Sequence, residues 1–408
     1  MDDTRAGEQP RKIIHLDLDA FFCAVEELHD PSLSGKPFAV GGAADQRGVV
    51  SSCSYAARRF GVHSAMPMGR ALRLCPELIV VHGRHREYGA MSDRVMDYLH
   101  NYTALLEQIS IDEAFIDVSD LRPSAESIAR EIQQAILEEL GLPCSLGVAT
   151  NKLVAKIANT VGKAAVRSGR PPMAVTVVAP GQEAAFLAPL PVGELWGIGP
   201  KMAEKLTELG MRTIGDLTRW PEGDLVQRFG KVGYDLARRA RGADDRPVTS
   251  GHEAKSISNE VTFAQDVTEA SVLHSTLSRL SESVGRRLRR AGLCGTTVKI
   301  KLRWPDFTTL TRQVTLPRPT DQDNEIYIAA LLLFEQVWIA NKAVRLVGVG
   351  VSGLGSPIQQ LGLWETPSEK GQRLQRALDE VRERFGRDAV QRASDLAARR
   401  GPKDASGT

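Results

Sequence analysis

Nowhere in the 408 residues does an apolar run approach the ~18 residues needed to cross a bilayer. Residues 1–11 are polar and contain no apolar core of the kind a secretory leader carries. The five cysteines, Cys23, Cys53, Cys75, Cys144 and Cys294, are scattered, and no Cys-x-x-Cys pair marks a zinc or dithiol site. A Gly-Lys-Ser/Thr phosphate loop is absent, and no His/Cys cluster has metal-ligand spacing. These absences set aside membrane, zinc and P-loop chemistry. They lead us to expect a cytoplasmic protein in a reducing compartment, and the length suggests roughly two to four domains.

Net charge is only +2, but it is unevenly distributed. Residues 1–120 hold 12 Lys/Arg against 18 Asp/Glu, whereas nine basic residues and a single acid, Asp306, lie between Arg286 and Arg318. An acidic front and a locally basic back suit a protein that binds cations at one end and a polyanion at the other.

The acids of the front half are placed unusually. Asp112 and Glu113 stand side by side between two apolar runs, 105–109 and 114–118, that read as paired strands. Successive strand side chains point to opposite faces, so both can serve one site only if the chain turns there, and Glu113 depends on that turn. Asp17 and Asp19 end an earlier strand, 11–19, in which Ile14, Leu16 and Leu18 share one face and His15, Asp17 and Asp19 the other. Carboxylates brought together in this way call for a cation. Converging on Mg²⁺, they would suit two-metal phosphoryl transfer.

In chain order, the strand 11–19 is followed by a short helix at 20–28 and a compact segment to about residue 82, punctuated by glycine and proline. A helix at 86–102, the paired strands, a helix at 124–140 and a strand at 145–149 complete a βαββαβ order, which predicts a ferredoxin-like sheet. A helix at 151–161 and a strand at 174–178 follow. Residues 190–242 show short helices without strand signal. There Gly197-Ile198-Gly199-Pro200-Lys201 forms a glycine-lined turn opening into a helix, suited to a phosphate.

Residues 243–254 read as a linker, and 255–352 repeat the βαββαβ order. Within that second domain Val298, Ile300, Leu302 and Trp304 alternate with Lys299, Lys301 and Arg303, so one strand face packs and the other presents cations about 7 Å apart. That spacing is close to the separation of phosphates along a nucleic-acid strand, and Arg287 lies in a basic run nearby. The predicted fold class is therefore α+β and multidomain.

Three blocks carry a resemblance: His15-Leu16-Asp17-Leu18-Asp19-Ala20-Phe21-Phe22, Ser54-Tyr55-Ala56-Ala57-Arg58-Arg59-Phe60-Gly61 and Ser110-Ile111-Asp112-Glu113-Ala114-Phe115. In order and spacing they resemble the signature blocks of the Y-family DNA polymerases, and residues 12–352 as a whole resemble the DinB branch. The resemblance implies a right-hand polymerase. Its palm would be 1–20 with 83–180, its fingers 21–82, its helix-hairpin-helix-like thumb 181–242, its little finger 255–352 and its C-terminal tail 353–408.

By the same resemblance, Asp17, Asp112, Glu113 and the Leu18 carbonyl correspond to ligands of two Mg²⁺ ions, with Mn²⁺ a possible substitute. Phe21, Phe22, Ser52, Tyr55, Arg58 and Lys163 correspond to nucleotide contacts, and Phe22 to the steric gate against ribose. Gly197, Gly199, Lys201, Arg287, Lys299, Lys301 and Arg303 are candidate DNA contacts. Gln360, Leu361, Leu363 and Trp364 resemble a sliding-clamp peptide.

The expected partners are primer–template DNA, dNTP and the sliding clamp, and the expected activity is low-fidelity translesion synthesis by a monomer. The chain departs from the family after Lys163, where residues 164–170 replace the usual proline and Asn/Asp-Gly turn. Two other readings fit part of the pattern: a palm-fold nucleotide cyclase using the same carboxylates, and a non-catalytic DNA-binding accessory protein.

Overall fold

A computed structural model describes residues 10–166, 169–251, 253–356, 375, 377–381, 384–386 and 389–390. The chain divides into two compact units, Met1–His252 and Glu253–Thr408. The clamp-like peptide, Gln360, Leu361, Leu363 and Trp364, lies outside the described residues.

The first unit is built on a five-stranded sheet in the order Leu106–Gln108, Glu113–Asp117, Ile13–Leu18, Cys144–Ala149, Val175–Val177. The first four strands pair antiparallel, and the last runs parallel to its neighbour after a crossover helix, Lys152–Ala165. Counted along the chain, the four antiparallel strands lie in the order 2-3-1-4. This is the ferredoxin-like arrangement the element order predicted, with one parallel strand added.

Alternation in the central strand Ile13–Leu18 divides the core. Ile14, Leu16 and Leu18 pack with Val95 and Leu99 of the helix His85–His100 and with Ile128, Ile132 and Ile136 of the helix Ala125–Leu140. Ile13 and Phe115 face the other side, where they pack with Leu153, Val154 and Ile157 of Lys152–Ala165. The sheet face carrying His15 and Asp17 is therefore covered by a helix rather than open, and His15 is buried.

Close approach makes that cover possible. Gly147 lies opposite His15 in the sheet register, and a Cβ at Gly147 would stand 1.9 Å from the Ala155 carbonyl oxygen and 2.6 Å from the Asn159 nitrogen. Both neighbours are helix backbone and cannot step aside. The absence of a side chain at Gly147 thus sets how near the helix comes to the sheet.

The segment that follows the first strand opens with the helix Phe21–His29, which places Phe21, Cys23 and Val25 in the core of the large sheet. Next comes a small sheet ordered Val50–Cys53, Phe38–Gly41, Ile79–Val81, with its own core of Ala39, Val50, Ala57, Met66 and Met68. Residues 183–240 form short helices, among them Pro200–Glu208, Ile214–Arg219, Glu222–Phe229 and Lys231–Ala240. Their apolar residues Leu206, Ile214, Leu225 and Leu236 belong to the same apolar cluster as Leu153, Val154 and Ile157.

The described residues of the expected linker, 243–254, form no helix or strand, but those up to Thr249 are tied down. Asp244 accepts from the Leu153 N–H at the start of that helix, Val248 is buried, and the Thr249 N–H donates to Glu107.

The second unit is a four-stranded antiparallel sheet, Thr309–Thr320, Cys294–Arg303, Val344–Gly355, Ser256–Val267, with the helices Ala270–Arg290 and Asp323–Val337. Its linear order repeats that of the first unit, but its strand order is 3-2-4-1. Here the first strand is an edge and is mostly exposed, whereas in the first unit it is central and buried. Val298, Ile300, Leu302 and Trp304 pack beneath the helices, worth roughly 1.5–3 kcal/mol each. We expect Gly147→Ala to destabilise the first unit by about 1–3 kcal/mol through overpacking, measured as a lowered urea midpoint.

Candidate active site and its relatives

The strand register brings the two acidic stretches together. Asp17 pairs directly with Glu113 across the sheet, and the Leu18 N–H donates to the Asp112 carbonyl at 2.9 Å. Residue-opposite side chains share a face, so Glu113, the first residue of its strand, stands beside Asp17 by strand geometry alone. Asp112, not Glu113, is the acid that depends on the turn. It precedes the strand, and Ser110 Oγ donates to its Oδ1 at 2.5 Å while accepting from its N–H at 3.3 Å.

Over this face lies the helix Lys152–Ala165, capped by the Asn151 side chain, which accepts from the Val154 N–H at 3.0 Å. Lys156, Asn159 and Lys163 fall on one side of it, at spacings of three and four residues. Lys163 Nζ lies 2.5 Å from Asp17 Oδ1 and 3.0 Å from Asp19 Oδ1. Lys156 Nζ lies 2.8 Å from both carboxylate oxygens of Glu113. The sequence after Lys163 is atypical, yet that lysine stays on the helix and against the acids.

Asp19 is wholly buried and accepts from Ser145 Oγ at 2.8 and 3.0 Å and from the Met173 N–H at 3.0 Å, which fixes it as an anchor for Lys163.

The electrostatics follow from this crowding. Burial pushes the Asp17 carboxyl up to about 6, against the pull of Lys163 and with Glu113 and Asp112 adding repulsion. Burial alone would lower the Lys163 ammonium, but the Asp17 and Asp19 carboxylates outweigh it and raise it. His15 is held well below the usual imidazole range by burial and by the nearby Lys156 charge.

Among the described residues no three acidic, His or Cys side chains are already gathered around one point. Asp17 leans on Lys163, Glu113 on Lys156 and Asp112 on Ser110. The donor set still suits a hard divalent cation: three carboxylates and a carbonyl, all oxygen, in adjacent positions whose mutual repulsion a cation would relieve.

The other candidate contacts fall into two groups. Tyr55 and Arg58 share a short helix, Tyr55–Arg58, with the Arg58 guanidinium 4.3 Å above the Tyr55 ring. The Tyr55 hydroxyl is buried without a hydrogen-bond partner, and it lies within the fields of Asp19, Lys163 and Asp17, so it belongs to the same locale. An orphaned hydroxyl facing cations suits an incoming phosphate oxygen. Ser52 instead turns inward and accepts from Cys23 Sγ at 3.6 Å.

Phe21 turns its ring into the core and is 2% exposed, so it can offer a ligand only its backbone. Phe22 is half-buried and stacks on Tyr88 with ring centroids 4.4 Å apart and 13° between planes, with His85 edge-on. The left-handed Ala20, φ 50°, makes the sharp strand-to-helix turn between Asp17 and Phe22.

The nucleic-acid candidates occupy separate places. Gly197, with φ 97°, and Gly199, the N-cap residue, shape the start of Pro200–Glu208, where Lys201 is exposed. In the second unit Lys299, Lys301 and Arg303 share the open sheet face. Lys299 is exposed, Lys301 is 2.8 Å from Glu260, and Arg303 donates to Thr309. Arg287 reaches the edge strand through the Ser258 carbonyl at 2.7 Å. Its neighbour Arg289 is tied to Asp323 and Asp379.

The sequence profile of the impB/mucB/samB family matches residues 16–160, its helix-hairpin-helix motif matches 180–211, and its C-terminal domain matches 254–363. DNA polymerase IV of Listeria innocua is 42% identical over 347 residues, spanning 84% of this chain and 95% of that protein. The chain belongs to the Y-family DNA polymerases, in their DNA polymerase IV branch. A DNA polymerase IV of Desulfatibacillum aliphaticivorans is 43% identical over 94% of this Y-family chain and 96% of its own.

Among solved structures, a Y-family polymerase chimera of the Dbh type superposes with a TM-score of 0.74 at 26% identity, covering 85% of this chain and 99% of that one. DinB from Sulfolobus solfataricus gives 0.58 at 27% identity, covering 84% and 98%.

Reading the sequence missed Lys156, Asn159 and Tyr88. A signal was available for the first two, which are polar positions recurring at helical spacing with Lys163 in a largely apolar run. Nothing in the sequence marks Tyr88 as the ring beneath Phe22.

Asp17 yields a prediction about pH. Its folded-state value lies above its ordinary 3.8, so between about 4 and 6 the folded protein binds more protons than the unfolded chain. Its contribution to stability therefore falls as pH rises through that window. In the metal-free protein Asp17→Asn should flatten the slope of unfolding free energy against pH there, as read by urea denaturation.

Proposed function

We propose that this Y-family chain extends a DNA primer on a template by two-metal nucleotidyl transfer, at low fidelity and across lesions, releasing pyrophosphate. The observation that carries the reading is the register of Asp17 with Glu113, with Asp112 alongside, under a helix that delivers two lysines to them.

In this reading 1–20 and 83–180 act as palm, 21–82 as fingers, 181–242 as thumb, 255–352 as little finger and 353–408 as tail. Asp17, Asp112, Glu113 and the Leu18 carbonyl would hold two divalent cations. We assign these as Mg²⁺, the hard ion that all-oxygen sites favour, with Mn²⁺ a substitute. When bound, the ions supply a lowered pKa for the primer 3′-hydroxyl and charge neutralisation for the triphosphate.

The chain's own groups do the remaining work. Lys163, Tyr55 and Arg58 take phosphate oxygens, Arg58 by its planar fork and Tyr55 by its orphaned hydroxyl; Ser52, turned inward onto Cys23, is not among them. Phe22, backed by Tyr88, meets the sugar, and its ring collides with a 2′-hydroxyl. Gly197, Gly199 and Lys201 at a helix start, and Lys299, Lys301, Arg303 and Arg287 of the second unit, take backbone phosphates. Such contacts hold DNA without reading its sequence. Residues 360–364 are assigned to a sliding clamp, and the enzyme is assigned as a cytoplasmic monomer.

A nucleotide cyclase with the same carboxylates would need neither the helical segment 183–240 nor the cationic strand. We expect Asp112→Ala to leave primer–template affinity within about twofold while lowering primer extension by roughly a thousandfold or more. A gel assay with Mg²⁺ measures the second, and extension persisting at the unaltered rate would refute the reading. Phe22→Ala should raise ribonucleotide insertion by about tenfold or more, because the discrimination rests on a built clash. Single-nucleotide extension with paired rNTP and dNTP reads that ratio.

A further inference from the structure

Lys156 takes no part in the reaction proposed above, yet it is the cation most fully engaged with Glu113. Its Nζ is 2.8 Å from Oε1, 2.8 Å from Oε2 and 3.3 Å from Nε2 of His15. An ammonium has three protons: two meet the Glu113 oxygens, and the third faces His15 Nε2, which accepts it in the tautomer that carries its proton on Nδ1. The imidazole is itself fixed. It is buried and lies 4.8 Å from the Phe115 ring, centroid to centroid. Its Nδ1 edge lies 3.0 Å from the Asn159 side-chain nitrogen, whose two protons are directed at the His15 and Ser145 carbonyls.

Lys156 is thus aimed at Glu113 from a rigid base, whereas Lys163 is shared between Asp17 and Asp19. Lys156 also lies 5.9 Å from the Trp196 ring centroid, a second feature favouring a cation at this point.

We propose that Lys156, positioned by His15 and Asn159, is the resident counter-ion of Glu113 in the free enzyme and competes with a divalent cation for that carboxylate. The proposal rests on the reading of Glu113 as a metal ligand. Cation binding at Glu113 is then an exchange rather than an addition. The ammonium hands over both oxygens, and the two facing acids, Asp17 and Glu113, are never left together without positive charge.

The test is a titration of the full chain, without DNA, with Mn²⁺, following free Mn²⁺ by electron paramagnetic resonance. Lys156→Met should bind Mn²⁺ roughly tenfold more tightly, the scale of one charged hydrogen-bonded contact. In a Glu113→Gln background the same substitution should bring no gain. Unchanged affinity in Lys156→Met overturns the proposal. So does an equal gain in both backgrounds, because long-range charge alone would then account for it.

Lys156→Gln, which keeps a polar side chain of similar reach, carries the same expectation should the methionine variant fold poorly. If Glu113→Gln by itself leaves both Mn²⁺ affinity and primer extension unaltered, the metal-ligand reading of Glu113 has failed, and the exchange falls with it.

Discussion

The site depends on how closely one helix lies against one sheet. Three carboxylates held side by side on neighbouring strands repel, and burial makes that repulsion stronger because the interior screens poorly. What makes the arrangement tolerable is the helix Lys152–Ala165, which lays Lys156 and Lys163 against Glu113 and Asp17. Gly147 sets the distance, since any side chain there would meet the backbone at Ala155 and Asn159. A residue with no chemistry of its own thereby decides whether two charged pairs form.

The same helix is held at its other end by a second set of charges. Lys152 and Glu107 form a buried pair at 2.6 Å, and Glu107 also accepts from the Thr249 N–H. Asn151 donates to the Gly242 carbonyl, and Asp244 accepts from Leu153. A buried pair of this kind adds little net stability, but losing either partner leaves an uncompensated charge, so its effect is on placement. Through it the irregular stretch after residue 242 is bound to the start of the helix that carries the site. Packed against the sheet and sharing one apolar cluster with the short helices that follow, the helix has little freedom to withdraw its lysines.

The second unit shows how one linear order can give two different sheets. Both units read βαββαβ, yet the first strand is central in one and an edge in the other. Composition agrees with placement in each case. Ile13–Leu18 is apolar on both faces except at His15 and Asp17 and is buried by helices on both sides, whereas Ser256–Val267 is polar over most of its length and tolerates solvent. The cationic residues of Cys294–Arg303 keep to the face away from the helices because the alternate positions, Val298 to Trp304, are committed to the core.

The sequence by itself determined the alternation, and with it the faces. It put Ile14, Leu16 and Leu18 opposite His15 and Asp17, and Val298 opposite Lys299, because side-chain direction in a strand is a local property. It also carried the three blocks that resemble the Y-family, and the helix and strand order of both units. The partners of those faces were left to the tertiary structure. Only pairing across the sheet put Glu113 beside Asp17 and left Asp112, rather than Glu113, as the acid aimed by the turn. Only packing turned Phe21 and Ser52 inward, stacked Phe22 on Tyr88 and tied Arg289 to Asp323. Lys156 was in plain view in the sequence as one surface-like lysine among many. Its meaning lies in a 2.8 Å contact with a residue 43 positions away, and such a contact depends on register and helix depth, which local periodicity does not encode.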